Sequence, residues 1–376
     1  MTEAVQVKFP YRYDLVGSLL RPQDLKDAHK QFNAGEITEG QLKEVQHKET
    51  KRIVAEQVKL GFKDVTDGEF NRSWWHLDFL WGLKGVGHYD YHKSYKFHGS
   101  KTRTDNAELV GKVAFNPNHP FFDSFKFFNA LTPDGVTAKQ TIPSPSMLFR
   151  DNRSDRWNEF YGSWDEYLED IAKAYHETIE KFYDLGCRYI QLDDTTWAFL
   201  ISKLNDTVDQ PEEHAKYIKV AEDAVTVINK LLEGLPEDLT VTTHICRGNF
   251  KSTYLFSGGY DDVADYLAEL NYDGLFLEYD NSRSGNFKPL DKIWNHDSNK
   301  RIVLGLITSK DPKLEDKNEV IERIKDAATH VPLENLALST QCGFASTEEG
   351  NLLTEDQQWA KLKLVRDIAQ EVWGED

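Results

Sequence analysis

Short apolar runs alternate with longer segments of helical periodicity along most of the chain. Eight of these runs end in polar or turn-forming residues, as buried parallel strands do. They cover residues 13–20, 62–70, 139–146, 187–194, 241–250, 274–279, 302–308 and 336–343. The pattern therefore predicts eight buried β-strands, the first to the eighth in chain order.

The segments between the runs carry the signals of α-helices. Thr38 with Gln41, and Ser163 with Glu166, have the spacing of N-terminal capping residues, and apolar residues follow at steps of three and four. Eight strands alternating with helices predict an α/β fold, the (β/α)8 or TIM barrel. A doubly wound sheet is the alternative, but no Gly-x-Gly-x-x-Gly follows any strand, so a dinucleotide site has no support.

Residues 74–134, after the second predicted strand, break this regularity. The segment is rich in aromatic residues and contains one hairpin-like stretch near residues 107–115. We expect an insertion in a single catalytic barrel domain of residues 1–376, where it would form a lid or a binding loop. His88, His92 and His98 lack the spacing of metal ligands, and we interpret them as surface residues.

Composition excludes several classes of partner. The 376 residues include 45 Lys and Arg against 63 Asp and Glu, a formal net charge of −18. Nucleic acids and anionic membranes need a basic surface, so neither is expected. The sequence contains no apolar stretch of membrane-spanning length, no signal-peptide pattern and only three scattered cysteines. We expect a cytoplasmic protein with reduced thiols, and the sequence is compatible with a homo-oligomer.

Polar residues occupy the carboxyl ends of the predicted strands. A closed barrel of parallel strands brings these ends to one mouth, where barrel enzymes build their active sites. The residues at these positions are Ser18, Glu69, Asp193, His244 with Cys246, Glu278, Thr308 and Cys342. The barrel therefore predicts one site made from residues that are far apart in the sequence.

His244 and Cys246 form the clearest metal-binding pattern at this mouth. Side chains two positions apart in a strand point to the same side, although a single His-x-Cys is a weak signal by itself. Cys342 adds a second sulfur and Glu278 an oxygen, with Asp280 as the rival for that oxygen. These donors suit zinc. Two thiolates make the metal electron-rich, which favours activation of a substrate thiol over formation of hydroxide.

The other polar residues at the mouth suit an amino-acid substrate. Asp193 and Glu69 can bind an ammonium group. The backbone N–H groups of Gly17 and Ser18, together with the side chain of Arg21, can hold a carboxylate. The alternative for Asp193 and Asp194 is that they cap the segment that follows their strand.

Three stretches, HICRGNF, FLEYDNSRSG and LSTQCGFAST, carry a resemblance to a known family. They resemble the catalytic C-terminal barrel of the cobalamin-independent methionine synthases, and in particular the single-barrel relatives described as 5-methyltetrahydropteroyltriglutamate–homocysteine methyltransferases. The resemblance extends over essentially the whole chain. It implies a zinc-dependent methyltransferase that converts homocysteine, or a similar thiol, to methionine.

The resemblance also implies a role for individual residues. The family's zinc ligands fall on His244, Cys246, Glu278 and Cys342, its substrate-binding residues on Gly17, Ser18, Glu69 and Asp193, and its catalytic His on Thr308. The catalytic positions are therefore Thr308 and Asp193, but threonine cannot serve as the family's proton donor.

The segments that contact the folate in that family have no convincing counterpart here. Trp74 and Trp75 can act as aromatic platforms by their chemistry alone. We expect 5-methyltetrahydrofolate as the methyl donor, with a methylated corrinoid or a sulfonium as alternatives. Transfer from an N-methyl amine requires protonation of the leaving nitrogen, whereas a sulfonium needs no acid.

Two other functions are consistent with parts of the pattern. A metal-free decarboxylase of the uroporphyrinogen type would use carboxylates at the mouth and an arginine-rich pocket. A zinc- and thiol-binding protein without turnover would keep the ligands and transfer no methyl group. Metal content distinguishes the first from a zinc methyltransferase, and an assay of turnover distinguishes the second.

Overall fold

The computed structural model describes residues 10–92, 96–97 and 100–374. Its strands are β1 Asp64–Val65, β2 Lys84–Asp90, β3 Lys96–Phe97, β4 Ser100–Lys101, β5 Asp105–Ala114, β6 Thr137–Pro143, β7 Tyr189–Asp194, β8 Thr240–Ile245, β9 Asn249–Phe250, β10 Thr253–Tyr254, β11 Gly274–Glu278, β12 Arg301–Ile307 and β13 Leu336–Thr340. Its α-helices are α1 Gln23–Asn33, α2 Glu39–Lys59, α3 Leu77–Leu80, α4 Pro120–Asn129, α5 Trp164–Asp184, α6 Thr196–Asp206, α7 Pro211–Leu232, α8 Ala264–Glu269, α9 Leu290–Ile293, α10 Lys317–Ala327 and α11 Glu355–Trp373.

Seven parallel strands form one curled sheet in the order β1-β6-β7-β8-β11-β12-β13. The strand order follows the chain, and helices lie between successive strands, as in a (β/α)8 barrel. The predicted fold class is therefore confirmed as a TIM-barrel-like α/β architecture. Because the strands are parallel, their carboxyl ends meet at one face of the sheet.

The first predicted strand, residues 13–20, is present as a single bridge instead of a full strand. Tyr13 makes a parallel bridge to Leu338 of β13. On the other side, the backbone N–H of Leu15 donates to the carboxylate of Asp64 in β1, at 3.4 Å. The segment thus lies between the two edges of the seven-stranded sheet, partly held by side chains instead of a backbone ladder.

A buried ion pair fixes this segment to the sheet. The ammonium group of Lys139 in β6 lies 2.6 Å from the Asp14 carboxylate, and both side chains are fully buried. Lys139 also donates to the carbonyl of Leu15, and the Tyr189 hydroxyl donates to the other oxygen of Asp14 at 2.7 Å. Each polar group therefore has a partner, as buried charges require.

The outer helices form where the apolar periodicity predicts them. Thr38 and Gln41 make a reciprocal capping box at the start of α2, and the Ser163 side chain accepts a hydrogen bond from the backbone of Glu166 in α5. The side of α5 that faces the sheet is fully buried, including Ile171. None of the helices within the described ranges is both long and apolar enough to span a membrane.

The insertion is more regular than its sequence indicates. Residues 107–115, which were predicted to contain a hairpin, instead lie in one strand, β5, up to Ala114, and this strand pairs antiparallel with β2. The insertion also contains α4, which buries four phenylalanines of the run PFFDSFKFF. His88 and His92 lie beside Asp105 and Asp90 and are exposed, as expected of surface residues. His98 lies outside the described residues.

Candidate metal centre and substrate cavity

The strand β8 positions the first two predicted metal ligands. Its sequence, TVTTHI, is rich in β-branched residues and is buried along its whole length, as a central strand requires. Its register pairs His244 with Asp193 of β7. The backbone N–H of Cys246 donates to the carbonyl of Asp194 at 2.9 Å, so the pairing continues for one residue and sets Cys246 at the carboxyl end of the strand.

His244, Cys246 and Cys342 form a compact cluster. One ligand atom from each lies within 4.8 Å of the others, and all three side chains are buried. The two sulfurs are 3.7 Å apart. Two sulfurs bound at about 2.3 Å to one tetrahedral zinc would be separated by about 3.8 Å. The donor set and its spacing therefore fit a zinc ion.

Oxygen atoms near both ring nitrogens orient the imidazole of His244. Its Nε2 lies 2.9 Å from the carbonyl of Gln341, and its Nδ1 lies 3.5 Å from the carboxylate of Asp193. Burial lowers the pKa of His244, but the interaction with Asp193 and the charge of Cys342 outweigh burial and raise it to about 9. A metal-bound histidine uses one nitrogen as ligand and donates from the other, and this arrangement supplies an acceptor for that N–H.

The two cysteines differ in acidity. The hydrogen bond from the Cys246 thiol lowers the pKa of Cys342, whereas the same bond raises the pKa of Cys246. Cys342 is therefore the cysteine that ionises first. Binding of a metal ion would favour the thiolate form of both.

Glu278 lies beside the cluster, at the end of β11. Its Oε1 accepts a hydrogen bond from the backbone of Arg247 and its Oε2 one from the guanidinium of Arg283, both at 2.9 Å. The hydrogen bond between the two cysteines has the largest effect on the pKa of each. The negative charge of Glu278 makes a smaller contribution, which acts to raise both pKa values. The rival, Asp280, follows the end of the strand and pairs with Arg283 at 2.9 Å. The Glu278 carboxylate is therefore adjacent to the cluster of His244, Cys246 and Cys342, but it is not part of that cluster.

Lys310 is a neighbour of this group that the sequence reasoning missed. Its ammonium nitrogen is buried and has no hydrogen-bond partner among the residues that the structure describes. Burial raises the pKa of Glu278, but the charges of Lys310 and Arg283 outweigh burial and lower it. The signal in the sequence is the position of this lysine, two residues after Thr308 at the end of the seventh strand.

A cavity of about 310 Å³ opens beside the cluster. Its walls are formed by Val16, Ser18, Glu69, Trp75, Asp193, His244, Cys246, Cys342, Gly343 and Ser346. The structure therefore brings three of the four predicted ligands together with three of the five predicted substrate-binding residues.

Glu69 is held in an unusual backbone conformation at this cavity. Its φ is 63°, in the left-handed region that side chains other than glycine rarely adopt, and Gly68 before it has a φ of 66°. Thr141 donates a hydrogen bond to its carboxylate at 2.9 Å. Burial raises the pKa of Glu69 to about 7, with the Arg72 charge acting against burial and the Asp193 charge adding to it.

Asp193 and Asp194 have separate roles. Asp193 faces the cavity and accepts a hydrogen bond from Gln191 at 2.7 Å. Asp194 instead accepts from the backbone N–H of Thr196 at the start of α6, also at 2.7 Å. Of the two aspartates for which capping was the alternative, Asp194 makes such a hydrogen bond and Asp193 faces the cavity.

Besides Glu278, three predicted residues do not line the cavity, namely Arg21, Thr308 and Gly17. The guanidinium of Arg21 donates to backbone carbonyls, including those of Ala345 at 2.5 Å and Glu69 at 2.8 Å. Thr308 lies in a surface pocket with Glu315, whose carboxylate accepts from the Thr308 backbone at 2.8 Å. Gly17 is adjacent to two cavity residues, and its carbonyl accepts from the hydroxyl of Thr66 at 2.6 Å.

A second, mostly apolar cavity of about 510 Å³ adjoins the first. The two share Trp75, Cys246 and Ser346. The second cavity is also lined by Trp74, His76, Thr102, Met147, Arg150, Thr195, Gly248, Asn249, Phe250, Leu255, Phe256 and Thr347. The insertion thus contributes the aromatic side of a space that reaches the cysteine cluster.

Sequence comparison identifies the family of this chain. Residues 156–371 match the family described as "Cobalamin-independent synthase, Catalytic domain". The chain belongs to this cobalamin-independent synthase family. The uncharacterized protein YxjH of Bacillus subtilis (strain 168) is 48% identical over 375 residues, which cover 98% of this chain and 96% of that protein. The resemblance inferred from the three motif stretches is therefore confirmed.

More distant relatives and solved structures agree with this assignment. The methionine synthase of Saccharolobus solfataricus is 23% identical over 336 residues, which cover 88% of this chain and 87% of that protein. The crystal structure of the putative vitamin-B12 independent methionine synthase from Listeria monocytogenes superposes with a TM-score of 0.77 and 38% identity, covering 97% of this chain and 99% of that chain. The similarity to members of the cobalamin-independent synthase family therefore extends over both sequence and fold.

Proposed function

We propose that this member of the cobalamin-independent synthase family is a zinc-dependent methyltransferase that converts homocysteine, or a similar thiol amino acid, to methionine. The observation that carries the proposal is a single cavity lined by His244, Cys246 and Cys342 and also by Glu69 and Asp193. When bound to these ligands, zinc would hold the substrate sulfur as a thiolate at neutral pH. The relatives named methionine synthase support the same reaction.

The two carboxylates of the cavity would bind the amino group of the substrate. Glu69 and Asp193 line the same cavity as Cys246 and Cys342. An amino acid bound there can place its amino group at the two carboxylates and its side-chain sulfur at the cysteine cluster. Asp193 also orients His244 through Nδ1. The carboxylate of the substrate would lie near Ser18 and Gly343, while Arg21 holds the neighbouring loops through their carbonyls.

Glu278 is the fourth ligand of the proposal. Its carboxylate is buried beside the sulfurs, and replacement of its bond to Arg283 by a bond to the metal would complete a tetrahedral set. Asp280 is the weaker candidate because it lies past the end of β11.

The methyl donor would enter through the apolar cavity, and we propose 5-methyltetrahydrofolate in that role. Trp74 and Trp75 lie in its wall and offer aromatic surfaces for a planar ring. Thr308 lies away from both cavities, so the proton for the leaving nitrogen would come from water or from a residue of the insertion. The proposal treats residues 1–376 as one catalytic barrel domain with residues 74–134 as its insertion.

Metal analysis tests this function directly. The protein is purified without chelators, its zinc content is measured with and without homocysteine, and the metal–sulfur coordination is followed by X-ray absorption. We expect one zinc per chain, an added sulfur with homocysteine, and formation of methionine from 5-methyltetrahydrofolate. Absence of zinc would refute the proposal. Zinc and homocysteine binding without methyl transfer from any donor class would instead indicate a binding protein.

Replacement of Cys342 by Ser tests the ligand assignment. A hydroxyl is a poor ligand for zinc compared with a thiolate, so the C342S variant should lose most of its zinc after dialysis. Cys187 provides a matched control because it is also buried but donates to the carbonyl of Tyr189, away from the cluster. Zinc content equal to that of C187S would exclude Cys342 as a ligand.

A further inference from the structure

Arg72 is an arginine buried next to the amino-acid cavity. Its side chain is 2% exposed, and its Nη1 lies 3.4 Å from Oε1 of Glu69, a residue that lines the cavity. Its Nη2 donates to the carbonyl and to the hydroxyl of Thr141, at 2.7 and 3.0 Å. Nη1 also donates to the carbonyl of Trp75 at 3.3 Å. The guanidinium therefore joins Glu69 to β6 and to the wall of the cavity.

Thr141 connects Arg72 to the same oxygen of Glu69. The single hydrogen of the Thr141 hydroxyl is donated to Oε1 at 2.9 Å, so this hydroxyl accepts from Arg72. Gly17 is also close to this oxygen, since a Cβ there would lie 3.3 Å from Oε1 and 2.8 Å from the Thr141 methyl group. Oε2 of Glu69, by contrast, is buried without a hydrogen-bond partner among the residues that the structure describes. The two oxygens of one carboxylate thus have different surroundings.

The insertion covers the guanidinium of Arg72. Phe121, in the first turn of α4, presents its ring to Arg72, with 4.6 Å between the guanidinium carbon and the ring centroid. This is the geometry of a cation–π contact. Phe121 is itself buried and packs edge-on against Phe79 of α3, with 5.5 Å between the ring centroids. The charge of Arg72 therefore acts on Glu69 in surroundings with little water, where its effect is stronger than at the surface.

Four charged groups act on the Glu69 carboxylate. Burial raises the pKa of Glu69 to about 7, and among the charges that of Arg72 has the largest effect, which opposes burial. Asp193 and Asp67 add to the rise, whereas Arg21 acts in the same direction as Arg72. The hydrogen bond from Arg21 goes to the backbone carbonyl of Glu69. Arg72 is therefore the cation that is best placed to keep this carboxylate ionised.

We propose that Arg72 is a positioning residue for the amino-acid site: together with Thr141 it holds Oε1 of Glu69, so that Oε2 is left for the ammonium group of the substrate. Its charge keeps the carboxylate ionised near neutral pH, as pairing with an ammonium group requires. The insertion thereby contributes to the amino-acid site as well as to the apolar cavity, because α4 shields the guanidinium from water. The inference rests on the proposed function, in which an amino acid binds at Glu69.

Carbon NMR of the carboxyl groups measures the titration of Glu69 without any ligand. In protein labelled with 13C at the glutamate carboxyl carbon, E69Q identifies the signal, and the pKa of Glu69 in the wild type should be about 7. R72M should raise this midpoint by about 1–3 pH units, because a nearby opposite charge lowers a carboxyl pKa by that amount. R72K keeps the charge and should stay closer to the wild type than R72M does.

Two further comparisons separate this role from a general effect on stability. T141V removes the hydroxyl between Arg72 and Oε1 and should also raise the midpoint, whereas T141S keeps the hydroxyl and should not. R153M removes another buried arginine, which pairs with Asp151 at 2.7 Å, and should leave the midpoint of Glu69 unchanged. An unchanged midpoint in R72M, or equal midpoints in T141V and T141S, would overturn the inference.

Calorimetric binding of L-methionine connects the titration to the substrate. At pH 7 R72M should bind methionine at least about fivefold more weakly than the wild type, because the ionised fraction of Glu69 falls by that factor when the midpoint rises by one pH unit. The loss should become smaller as the pH is raised. A loss of the same size at pH 7 and at pH 9 would mean that Arg72 acts only on the structure, and would also overturn the inference.

The possible outcomes separate this inference from the proposed function. The titration of Glu69 needs neither the metal nor a methyl donor. Absence of zinc or of methyl transfer would refute the proposed function, and the dependence of the titration on Arg72 would still be measured. A titration that does not depend on Arg72 would refute this inference alone and leave the metal centre unaffected.

Discussion

Glu69 links the pH of the solution to occupation of the amino-acid cavity. Its carboxyl pKa is raised by burial to about 7, from an ordinary 4.5. Below pH 7 the free protein holds a proton on Glu69, and that proton must leave before the carboxylate can pair with an ammonium group. Affinity for L-methionine should therefore fall as the pH is lowered from 7 to 5.5, by up to about tenfold per pH unit, and level off above about pH 7.5.

Calorimetric titration with methionine measures this effect, because the thioether carries no titrating proton. The E69Q variant should bind methionine more weakly above pH 7 and should lose the slope below it. A slope of the same size in E69Q would mean that another group titrates in this range.

Lys310 is expected to strengthen metal binding through its charge. Its buried ammonium lowers the pKa of Glu278 and, after the hydrogen bond from Cys246, contributes to lowering that of Cys342. Replacement by Met removes the charge and keeps the apolar stem, so the pKa of Cys342 should rise. Zinc affinity should then fall by up to about tenfold for each unit of that rise, because the metal has to displace a more tightly held proton. Competition with a chromophoric chelator measures the change.

The K310R variant keeps the positive charge and serves as the matched control. It should retain most of the affinity that K310M loses. Equal losses in the two variants would show that the shape of the lysine side chain, and not its charge, supports the site.

The predicted ligands that the structure brings together share one property: they lie at or just after strand ends. His244, Cys246 and Cys342 meet because parallel strands align their carboxyl ends. Thr308 also follows a strand, but β12 changes register relative to β13 between Gly305 and Ile307. An irregularity of this kind changes the side to which later side chains point. Arg72 comes from a loop, where no periodicity indicates direction.

At the scale of elements, the turn after β1 is expected to be sensitive to a single methyl group. Gly68 has a φ of 66°, and a Cβ there would lie 2.8 Å from Ile53 Cδ1 and 2.9 Å from the ring of Phe70. The free energy of unfolding of the G68A variant should be lower by about 1–2 kcal/mol because of the strained backbone conformation, and by about 1–3 kcal/mol more because of crowding. Urea denaturation measures the total.

Gly135 isolates the backbone part of that loss. Its φ is 81°, and a Cβ there would meet nothing within 4 Å. G135A should therefore lose only the conformational part, and its methionine affinity should be unchanged. In G68A the affinity should fall as well, because Glu69 is the next residue. Equal free energies of unfolding for G68A and G135A would show that crowding does not contribute to the loss in G68A.

The sequence predicted the positions of secondary-structure elements best for strands that are buried on both faces of the sheet. The strands β6, β7, β8, β11, β12 and β13 all lie within the predicted runs or within two residues of them. The strand β2 was missed because it contains two glycines and buries only Val86. The helix α4 was missed because the run PFFDSFKFF is apolar on several sides, which hides its periodicity.

At the scale of the whole molecule, closure of the sheet depends on residues 12–19, which lie between β13 and β1. No strand-length ladder holds this segment, and a sequence pattern cannot reveal that side chains replace it. Its fixed position matters for function because Val16 and Ser18 belong to the same cavity as the cysteine cluster. The buried pair of Asp14 and Lys139 is the interaction expected to hold it there.

The K139M variant should therefore destabilise the protein and loosen this segment. Loss of the ammonium leaves the buried Asp14 without its cation, which should cost about 3–5 kcal/mol, and D14N/K139M should recover a large part. K112M, which removes an exposed ion pair with Glu166, should cost less than about 1 kcal/mol. Urea denaturation measures the stabilities, and hydrogen exchange should increase first in residues 12–19. Unchanged exchange there, or a loss in K139M no greater than in K112M, would mean that backbone packing alone closes the sheet.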